Sequence, residues 1–514
     1  MNERDSQKAT RREWIGLATL ALPCLLYSMD LTVLNLAVPQ LTADLRPSAA
    51  QLLWIVDIYG FLLAGSLLTM GTLGDRIGRR RLLLIGAAAF GAASTLAAFA
   101  WSAETLIIAR ALLGIAGATL APSTLSLIRS MFLDPQERTF AIGVWIASFS
   151  AGGAIGPVVG GLLLAHFWWG SVFLAAVPVM LMLLVVGPLL LPEFKDPHAG
   201  RLDLPSAALS MVAVLAVIHG IKRIAEHGLG WWPLLAITVG ILVGALFIRR
   251  QRRLADPLID LSLFRSAAFS AALATNLLAL FVAFGLFLFI AQYLQLVLGM
   301  SPLEAGLWTA PSGLAFVAGS MLAPAAVRYL PPAHVIAGGL VMSALGFAIL
   351  TQIGGYHSIW VLLAGLLLFC LGLAPVGTLT TDLVIGLAPP ERAGAASAIS
   401  ETSFELGGAL GIAVLGSVVT ALYRGTMAAA TPTGVPADAL AAARDTLGGA
   451  LVAASELPGQ AGIDLLALAR EAFTQSMEWA AGLSAIIAVG TAVLAASLLR
   501  RLPPPVPVAA HAGS

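Results

Sequence analysis

Three carboxylates lie inside long apolar segments of this sequence. Asp30 stands in YSMDLTVLNLAVP, and Glu401 and Glu405 stand in ISETSFELGGALGIAVLG. A charged side chain near the centre of a bilayer costs a few kcal/mol, so an ionisable residue in a spanning helix indicates a functional site. Because desolvation favours the neutral carboxyl group, such a residue can bind and release protons. These acids therefore predict proton exchange or cation binding within a membrane.

The spacing of the two glutamates indicates a shared site. Residues four apart in a helix lie on one face, so Glu401 and Glu405 face the same volume, with Phe404 offset around the helix. Two acids held this close titrate as a coupled pair, and each proton or cation bound changes the affinity for the next. The structural alternative is that one of them braces a neighbouring helix near Arg392.

An acid and an indole lie three positions apart in LLWIVDIYGF. This spacing brings Trp54 and Asp57 to nearly one helix face. An aromatic face and a carboxylate together suit a lipophilic cation, so we expect both residues to contact a substrate, with Tyr293 lining the same cavity. Because Asp57 lies nearer one end of its helix, the alternative for it is an interfacial anchor.

The composition places these residues in a membrane protein. Of 514 residues, 59% are hydrophobic and 11% are charged, against about 25% charged in soluble domains. The apolar runs are about 20 residues long, which is the length that crosses a hydrocarbon layer of roughly 30 Å. The net charge of +1 argues against a nucleic-acid partner, which would need a clustered basic excess. We expect an all-α integral membrane protein that contacts the lipid bilayer.

Hydropathy predicts fourteen membrane spans, the first beginning at Trp14 after a polar tail of 13 residues. The windows lie near 14–38, 51–71, 82–101, 104–126, 138–164, 168–190, 205–224, 232–250, 268–298, 303–329, 333–352, 357–387, 393–422 and 472–499. If the N-terminus is cytoplasmic, 21 of the 28 lysines and arginines lie in inside segments, six lie outside, and Arg110 lies within a span. This asymmetry obeys the positive-inside rule, so we expect both termini in the cytoplasm.

Two glycine-rich motifs flank or interrupt these spans. The turn after the second span needs glycine where the backbones approach, and its acid and arginines can form charge-assisted bonds with helix ends; it contains Gly71, Gly74, Asp75, Arg76, Gly78 and Arg79. The fifth span carries small residues that permit close helix approach, namely Gly152, Gly156, Pro157, Gly160 and Gly161. The alternatives are a basic topology anchor for the first motif and a generic packing stripe for the second.

These motifs resemble signatures of the major facilitator superfamily. The turn at 71–81 resembles the first-repeat signature, and the fifth-span motif resembles one that exporters carry, which favours efflux over uptake. Arg110 resembles the fourth-helix arginine associated with proton coupling, a structural pairing being the alternative. The strings around Asp30 and around the two glutamates resemble those of the fourteen-span drug:proton antiporters, the QacA-, SmvA- and LfrA-like multidrug pumps. In those pumps the first-span acid is regarded as a proton carrier, and the paired acids are attributed to cation recognition and protonation.

The resemblance implies a major facilitator fold of two six-helix bundles plus two inserted helices, 14 transmembrane helices in all. The expected parts are a cytoplasmic tail 1–13, an N-terminal bundle 14–190, a linker 191–267 with the two additional helices, a C-terminal bundle 268–500 and a cytoplasmic tail 501–514. The C-terminal bundle includes the Ala-rich external segment 423–471, where apolar residues three and four apart predict short amphipathic helices. This segment is either a solvated loop or a lid on the outer mouth.

The function expected from this resemblance is proton-coupled export of lipophilic, mainly cationic drugs, quaternary ammonium antiseptics and dyes across the bacterial inner membrane by alternating access. Proton coupling would rest on Asp30, Arg110, Glu401 and Glu405, unless Asp30 is neutral and permanently hydrogen-bonded. The alternative is a same-scaffold exporter of a specific antibiotic, a lipid or an amphipathic peptide.

An integral-membrane enzyme is a third class of function, and the sequence disfavours it. It contains no HExxH zinc motif, no Gly-rich phosphate loop ending in Lys-Ser/Thr and no Gly-x-Ser-x-Gly elbow. The seven histidines have no metal-ligand spacing. We therefore expect no catalytic residues, no metal, no cofactor and no nucleic acid, with an ion gradient as energy source and a monomer as the working unit.

Overall fold

The structure is a computed structural model that describes residues 8–193, 195, 203–254, 257–354, 358–389, 392–429 and 435–499. Within these ranges the chain is helical and contains no strand. The predicted C-terminal tail, 501–514, and residues 1–7 of the predicted N-terminal tail lie outside the described residues.

The N-terminal half holds eight helices. They are α1 (Arg11–Leu45), α2 (Ala49–Ile77), α3 (Arg79–Ala98), α4 (Ala103–Gly117), α5 (Leu120–Met131), α6 (Pro135–His166), α7 (Ser171–Leu174) and α8 (Ala176–Leu190). An inserted pair follows, α9 (Leu204–His227) and α10 (Trp231–Gln251). The C-terminal half holds α11 (Ala267–Gln292), α12 (Pro302–Ala326), α13 (Pro332–Leu350), α14 (Ser358–Gly386), α15 (Ala393–Ala429), α16 (Ala437–Asp445), α17 (Leu447–Glu456) and α18 (Gln460–Leu498).

In the described part of the chain, twelve helical segments are long and apolar enough to cross a membrane, with α4 and α5 forming one segment and α7 and α8 another. A thirteenth is α1, which bends by 45° between Asp30 and Thr32. The predicted span near 303–329 corresponds to α12, which contains Pro311 and Pro324 and is not among these segments. The protein is therefore a multi-pass membrane protein, with twelve or thirteen such spans among the residues that the structure describes.

Polar residues fix where two of the long helices start. At the start of α2, the Ser48 hydroxyl accepts from the Gln51 amide at 3.2 Å, and the Gln51 side chain accepts from the Ser48 amide at 2.9 Å. Ser301 and Glu304 form the same capping box at the start of α12. Each box satisfies amide groups that a helix start leaves without partners, so these two ends are set by local sequence.

One end of the molecule is covered by α16 and α17, and we call it the lid end; α1 finishes and α2 begins there. The opposite end, at the α2–α3 turn, is called the turn end. The Tyr423 hydroxyl of α15 donates to the Ala443 carbonyl of α16 at 2.8 Å, and Leu447 of α17 is buried. Gly448 lies so close to Thr42 of α1 that an added Cβ would stand 2.4 Å from a side-chain carbon. The structure thus favours a packed helical lid over a solvated loop.

The two halves meet along two seams that run from the lid end to the middle of the bundle. In the first, α6 packs on α12: an added Cβ on Gly161 would stand 2.7 Å from the Pro302 carbonyl oxygen. In the second, α2 packs on α15, with Gly416 beside Leu53 and Gly60 beside Ala409. Small residues at both seams let the backbones approach closely, as expected where helices associate within lipid.

Candidate functional site

The structure brings together Asp30 and Arg110, two of the residues predicted to couple protons. The Nη1 atom of Arg110 lies 2.5 Å from Oδ2 of Asp30, and Nε donates to the Ile55 carbonyl at 3.2 Å. The guanidinium group also stands 4.5 Å from the centroid of the Tyr59 ring. A buried arginine needs a carboxylate, carbonyl or aromatic partner, and the surroundings of Arg110 provide all three.

Exposure differs between the two partners of this ion pair. The Arg110 side chain is 1% exposed, whereas the Asp30 side chain is 15% exposed. The acid therefore keeps some accessible surface, while the base is enclosed by protein. Protonation of Asp30 would leave the Arg110 charge without its carboxylate, so the ionisation of Asp30 determines whether this ion pair exists.

Glu401 and Glu405 lie one turn apart on α15, as their spacing predicts. Glu405 is buried, and its Oε1 atom accepts a hydrogen bond of 2.5 Å from the Tyr27 hydroxyl of α1. Glu401 is half-buried. Phe404, between them, is half-buried and meets Phe284 of α11 edge-on, with ring centroids 6.3 Å apart. Glu405 therefore contacts the N-terminal half, whereas Phe404 packs on α11 of its own half.

Within the described ranges neither glutamate forms an ion pair with a basic side chain. Arg392, which we considered as a brace for this pair, contacts Asp260 and Ser262 in the segment before α11. These contacts direct the arginine to the linker and give no support to the bracing alternative. The acid pair on α15 is thus left with unneutralised charge when both carboxylates are ionised.

Asp57 and Trp54 lie together, as their spacing predicts, and the cation beside them is a lysine of the protein itself, Lys222. The Nζ atom of Lys222 lies 2.8 Å from Oδ1 and 2.7 Å from Oδ2 of Asp57, and 3.7 Å from the Trp54 ring centroid. Both charged side chains are enclosed, at 1% and 0% exposure. In this structure Lys222 of α9 therefore occupies the acid and indole site, and substrate binding by Asp57 and Trp54 stays a prediction.

Asp57 also points away from the acids at the centre. A helix turns about 100° per residue, so Asp57 and Tyr59, two positions apart, face nearly opposite sides of α2. Tyr59 faces Arg110, whereas Asp57 faces the inserted helix α9. Ile218 of α9 is buried in one cluster with Phe61 of α2 and Ala409 of α15. The inserted helix therefore covers the α2–α15 seam, and the Lys222–Asp57 ion pair fastens it there.

Tyr293 lies apart from the α15 acids. It begins a π-helical turn, Tyr293–Val297, at the lid end of α11, and its hydroxyl donates to the Ile353 carbonyl at 2.9 Å. Phe284, which contacts Phe404, precedes it by nine residues, or roughly 14 Å along a helix. The structure thus gives Tyr293 a packing partner within the C-terminal half and does not bring it to the predicted cation site.

The turn motif at the turn end is held by ion pairs. Gly78 has φ +111°, a conformation that L side chains rarely adopt, so glycine is required there. Asp75 lies 2.6 Å from Arg79, and the Glu193 carboxylate accepts from the Arg80 amide at 3.1 Å. Gly71, Gly74 and Arg76 of the motif belong to the last turns of α2. The motif therefore fixes the α2–α3 turn and joins it to the segment after α8.

The fifth-span motif lies between α1 and α12. An added Cβ on Gly152 or Gly156 would stand 2.2 Å from an oxygen atom of α1, and one on Gly160 would stand 2.6 Å from Val33. On another side of α6, the Pro157 carbonyl would be 2.2 Å from a Cβ on Gly306 of α12. One helix thus packs closely on the Asp30 helix and on the opposite half, as a conformational role requires.

Four residues in these contacts were not predicted: Tyr27, Tyr59, Glu193 and Lys222. Lys222 had a visible signal, since it lies at the outer end of the predicted span 205–224, where a lysine beside lipid needs a partner. The tyrosines had none, because an aromatic residue in an apolar run is usual in a spanning helix. In the described chain no group of three or more His, Cys, Asp or Glu side chains is placed to hold a metal ion.

Comparison with known proteins identifies relatives along almost the whole chain. The sequence profile of the Major Facilitator Superfamily matches residues 20–412. The chain is 44% identical over 491 residues to the multidrug efflux pump LfrA of Mycolicibacterium smegmatis, covering 95% of this chain and 97% of that protein. It is 37% identical to the methyl viologen resistance protein SmvA of Salmonella typhimurium, covering 90% and 94%. It is 33% identical to the tetracenomycin C resistance and export protein of Streptomyces glaucescens, covering 95% and 91%.

Solved structures with a similar fold include two transporters. A bacterial homologue of the human lysosomal transporter Spinster, inward-facing and unoccupied, has a TM-score of 0.66 at 20% identity, covering 97% of this chain and 100% of that one. The peptide transporter POT in complex with sulfate has a TM-score of 0.61 at 17% identity, covering 94% and 95%. At these identities the likeness concerns the fold alone. With the profile match and the relatives above, the chain belongs to the major facilitator superfamily and is a membrane transporter, not an enzyme.

Proposed function

We propose that this transporter exports lipophilic cations in exchange for protons by alternating access. The observation that carries the proposal is the distribution of charge around the acids. Asp30 and Asp57 each have a basic partner, whereas Glu401 and Glu405 have none in the described chain. A pair of unneutralised carboxylates in a low-dielectric space favours a positive ligand, and protons and organic cations both meet that need.

The cation site in this proposal is the wall of α15. The carboxylates of Glu401 and Glu405 neutralise the ligand charge, and the Phe404 ring adds a cation–π contact. Protons compete for the same oxygen atoms, so binding of one ligand weakens binding of the other. If the two access states bind them differently, export of the cation becomes linked to import of protons. Asp30 and Arg110 act as the proton switch of the N-terminal half.

The proposed orientation follows from the basic residues, which put the turn end in the cytoplasm, both termini with it, and the lid outside. In this orientation the seams lie on the outer side, an arrangement that favours an inward-facing conformation. Counting α1 and α12, fourteen helices span the inner membrane of a bacterium. We expect a monomer, as the family resemblance implies.

A second candidate is export of a specific uncharged or amphipathic compound on the same scaffold. The relative that favours it is the tetracenomycin C resistance and export protein, whose name gives one antibiotic. In that case Glu401 and Glu405 would serve the proton alone, and a monovalent dye would bind no better than a neutral compound of similar size. If the substrate is a lipid or an amphipathic peptide, we likewise expect the dye to bind no better than the neutral compound.

Ethidium binding to the purified protein separates the two candidates. We expect Glu405→Gln to lower ethidium affinity by about tenfold, since a contact between charged groups contributes on the order of 1.5–3 kcal/mol. Glu401→Gln should also lower ethidium affinity. Glu471→Gln removes an exposed carboxylate on α18 and should leave binding unchanged. Unchanged affinity in both α15 variants would contradict the cation site and favour the second candidate.

A further inference from the structure

Tyr27 joins the two halves of the transporter through the buried acid of the C-terminal half. Its ring is on α1, it is 3% exposed, and its hydroxyl donates to Glu405 of α15 at 2.5 Å. A hydrogen bond to an ionised carboxylate is about twice as strong as one to a neutral acceptor. The strength of this contact between the halves therefore depends on whether Glu405 is ionised.

Tyr27 also shares a helix face with the acid of the N-terminal half. Asp30 follows it by three positions, so the two side chains lie about one turn apart on the same side of α1. Asp30 is paired with Arg110, which stands over the ring of Tyr59. The rings of Tyr59 and Tyr27 are 6.3 Å apart. A single stretch of α1 thus connects the ion pair of one half to the carboxylate of the other.

The hydroxyl of Tyr27 has a role that the neighbouring tyrosine does not share. The Tyr59 hydroxyl is buried and has no hydrogen-bond partner in the described residues, whereas that of Tyr27 bonds across the seam. The bend of 45° in α1 begins directly after Asp30, where the Thr32 hydroxyl donates to the Met29 carbonyl. A change in the Tyr27–Glu405 contact therefore acts on the segment of α1 that places Asp30 beside Arg110.

We propose that Tyr27 is a positioning residue that couples occupancy of Glu405 to the Asp30–Arg110 ion pair. This proposal rests on the proton and cation exchange proposed above. With Glu405 ionised, the phenol holds α1 against α15. When a proton neutralises Glu405, the phenol loses its charged acceptor, the hold on α1 weakens, and Asp30 is free to change its position and its proton.

The test compares Tyr27→Phe with the wild-type protein in proteoliposomes, using ethidium. Two readouts are needed: ethidium exchange without a proton gradient, and the protons moved for each ethidium transported. We expect Tyr27→Phe to retain exchange but to lose most of the coupled proton movement, so that the proton-to-ethidium ratio falls. Equal loss of both readouts, or no loss of either, would overturn the proposal.

A matched control is Tyr423→Phe, which also removes a buried phenol hydroxyl and its 2.8 Å hydrogen bond, but at the lid. It should leave the proton-to-ethidium ratio unchanged. Ethidium affinity provides a second measurement, with Tyr27→Phe introduced into wild type and into Glu405→Gln. An effect that disappears in the Glu405→Gln protein shows that Tyr27 acts through Glu405, and an effect that persists contradicts this. Wild-type exchange without proton movement would instead overturn the proposed antiport itself.

Discussion

Asp30→Asn is expected to abolish proton-driven ethidium export while the protein still inserts and folds. The amide cannot take up a proton in the pH range of transport, and it leaves the buried Arg110 charge without its carboxylate at 2.5 Å. The measurement is collapse of a preformed pH gradient in everted membrane vesicles on addition of ethidium. Ethidium should cause no collapse of the pH gradient in this variant, because the substitution removes both the proton-binding group and the carboxylate partner of Arg110.

The control for this variant is Asp44→Asn on the same helix. Asp44 accepts a hydrogen bond of 2.7 Å from the Trp169 indole, and an asparagine oxygen can accept the same bond. Export should therefore continue in Asp44→Asn. Normal export by Asp30→Asn, at a comparable amount of protein in the membrane, would exclude Asp30 as the proton switch and favour a permanently hydrogen-bonded, structural acid.

Lys222→Met should produce the largest loss of stability. The substitution keeps the length of the side chain but leaves the Asp57 carboxylate enclosed without its cation, and breaking a buried ion pair costs about 3–5 kcal/mol. Cys24 and Cys370 are free and buried, so a thiol-reactive dye reports unfolding as they become exposed. We expect a clearly lower Tm by this measurement, together with loss of α9 from its place over the α2–α15 seam.

Two further variants show whether the lost charge pair is the cause. In Lys222→Met combined with Asp57→Asn, no unpaired charge is left buried, so most of the stability should return. Arg223→Met changes the next residue, whose only described ion pair is a long, partly exposed one of 3.8 Å to Glu226, and should shift stability by about 0.5 kcal/mol or less. An unstable double variant would mean that Lys222 acts through packing and not through Asp57.

The residues that carry charge within spans could be predicted from the sequence, whereas their partners could not. Asp30, Glu401 and Glu405 stand out because acids are costly in apolar segments. Their contacts depend on which helix packs beside which, and one sequence does not contain that information. Tyr27 and Asp57 show the consequence: nothing in the sequence distinguishes the first from other aromatic residues of a span, and the sequence does not show that Lys222 pairs with the second.

The fold could be predicted further than the site, because helix length and hydropathy are local properties. The predicted span 104–126 corresponds to α4 and α5, which end at Met131 but are interrupted near Thr119. Neither this break nor the bend after Asp30 follows from hydropathy, since both depend on neighbouring helices. The sequence allows either a lid or a solvated loop at 423–471, and the contacts of α16 and α17 with α1 and α15 favour the lid.

The most direct test of cation and proton exchange at α15 is to record protons during ethidium binding. Purified protein in weakly buffered solution is mixed with ethidium while a pH indicator is followed. We expect the wild-type protein to release protons as ethidium binds, to bind it more weakly as the pH falls, and to lose the release when Glu401 and Glu405 are both changed to Gln. Ethidium binding of unchanged affinity across this pH range, with no proton release, would contradict the exchange of proton and cation at these two acids.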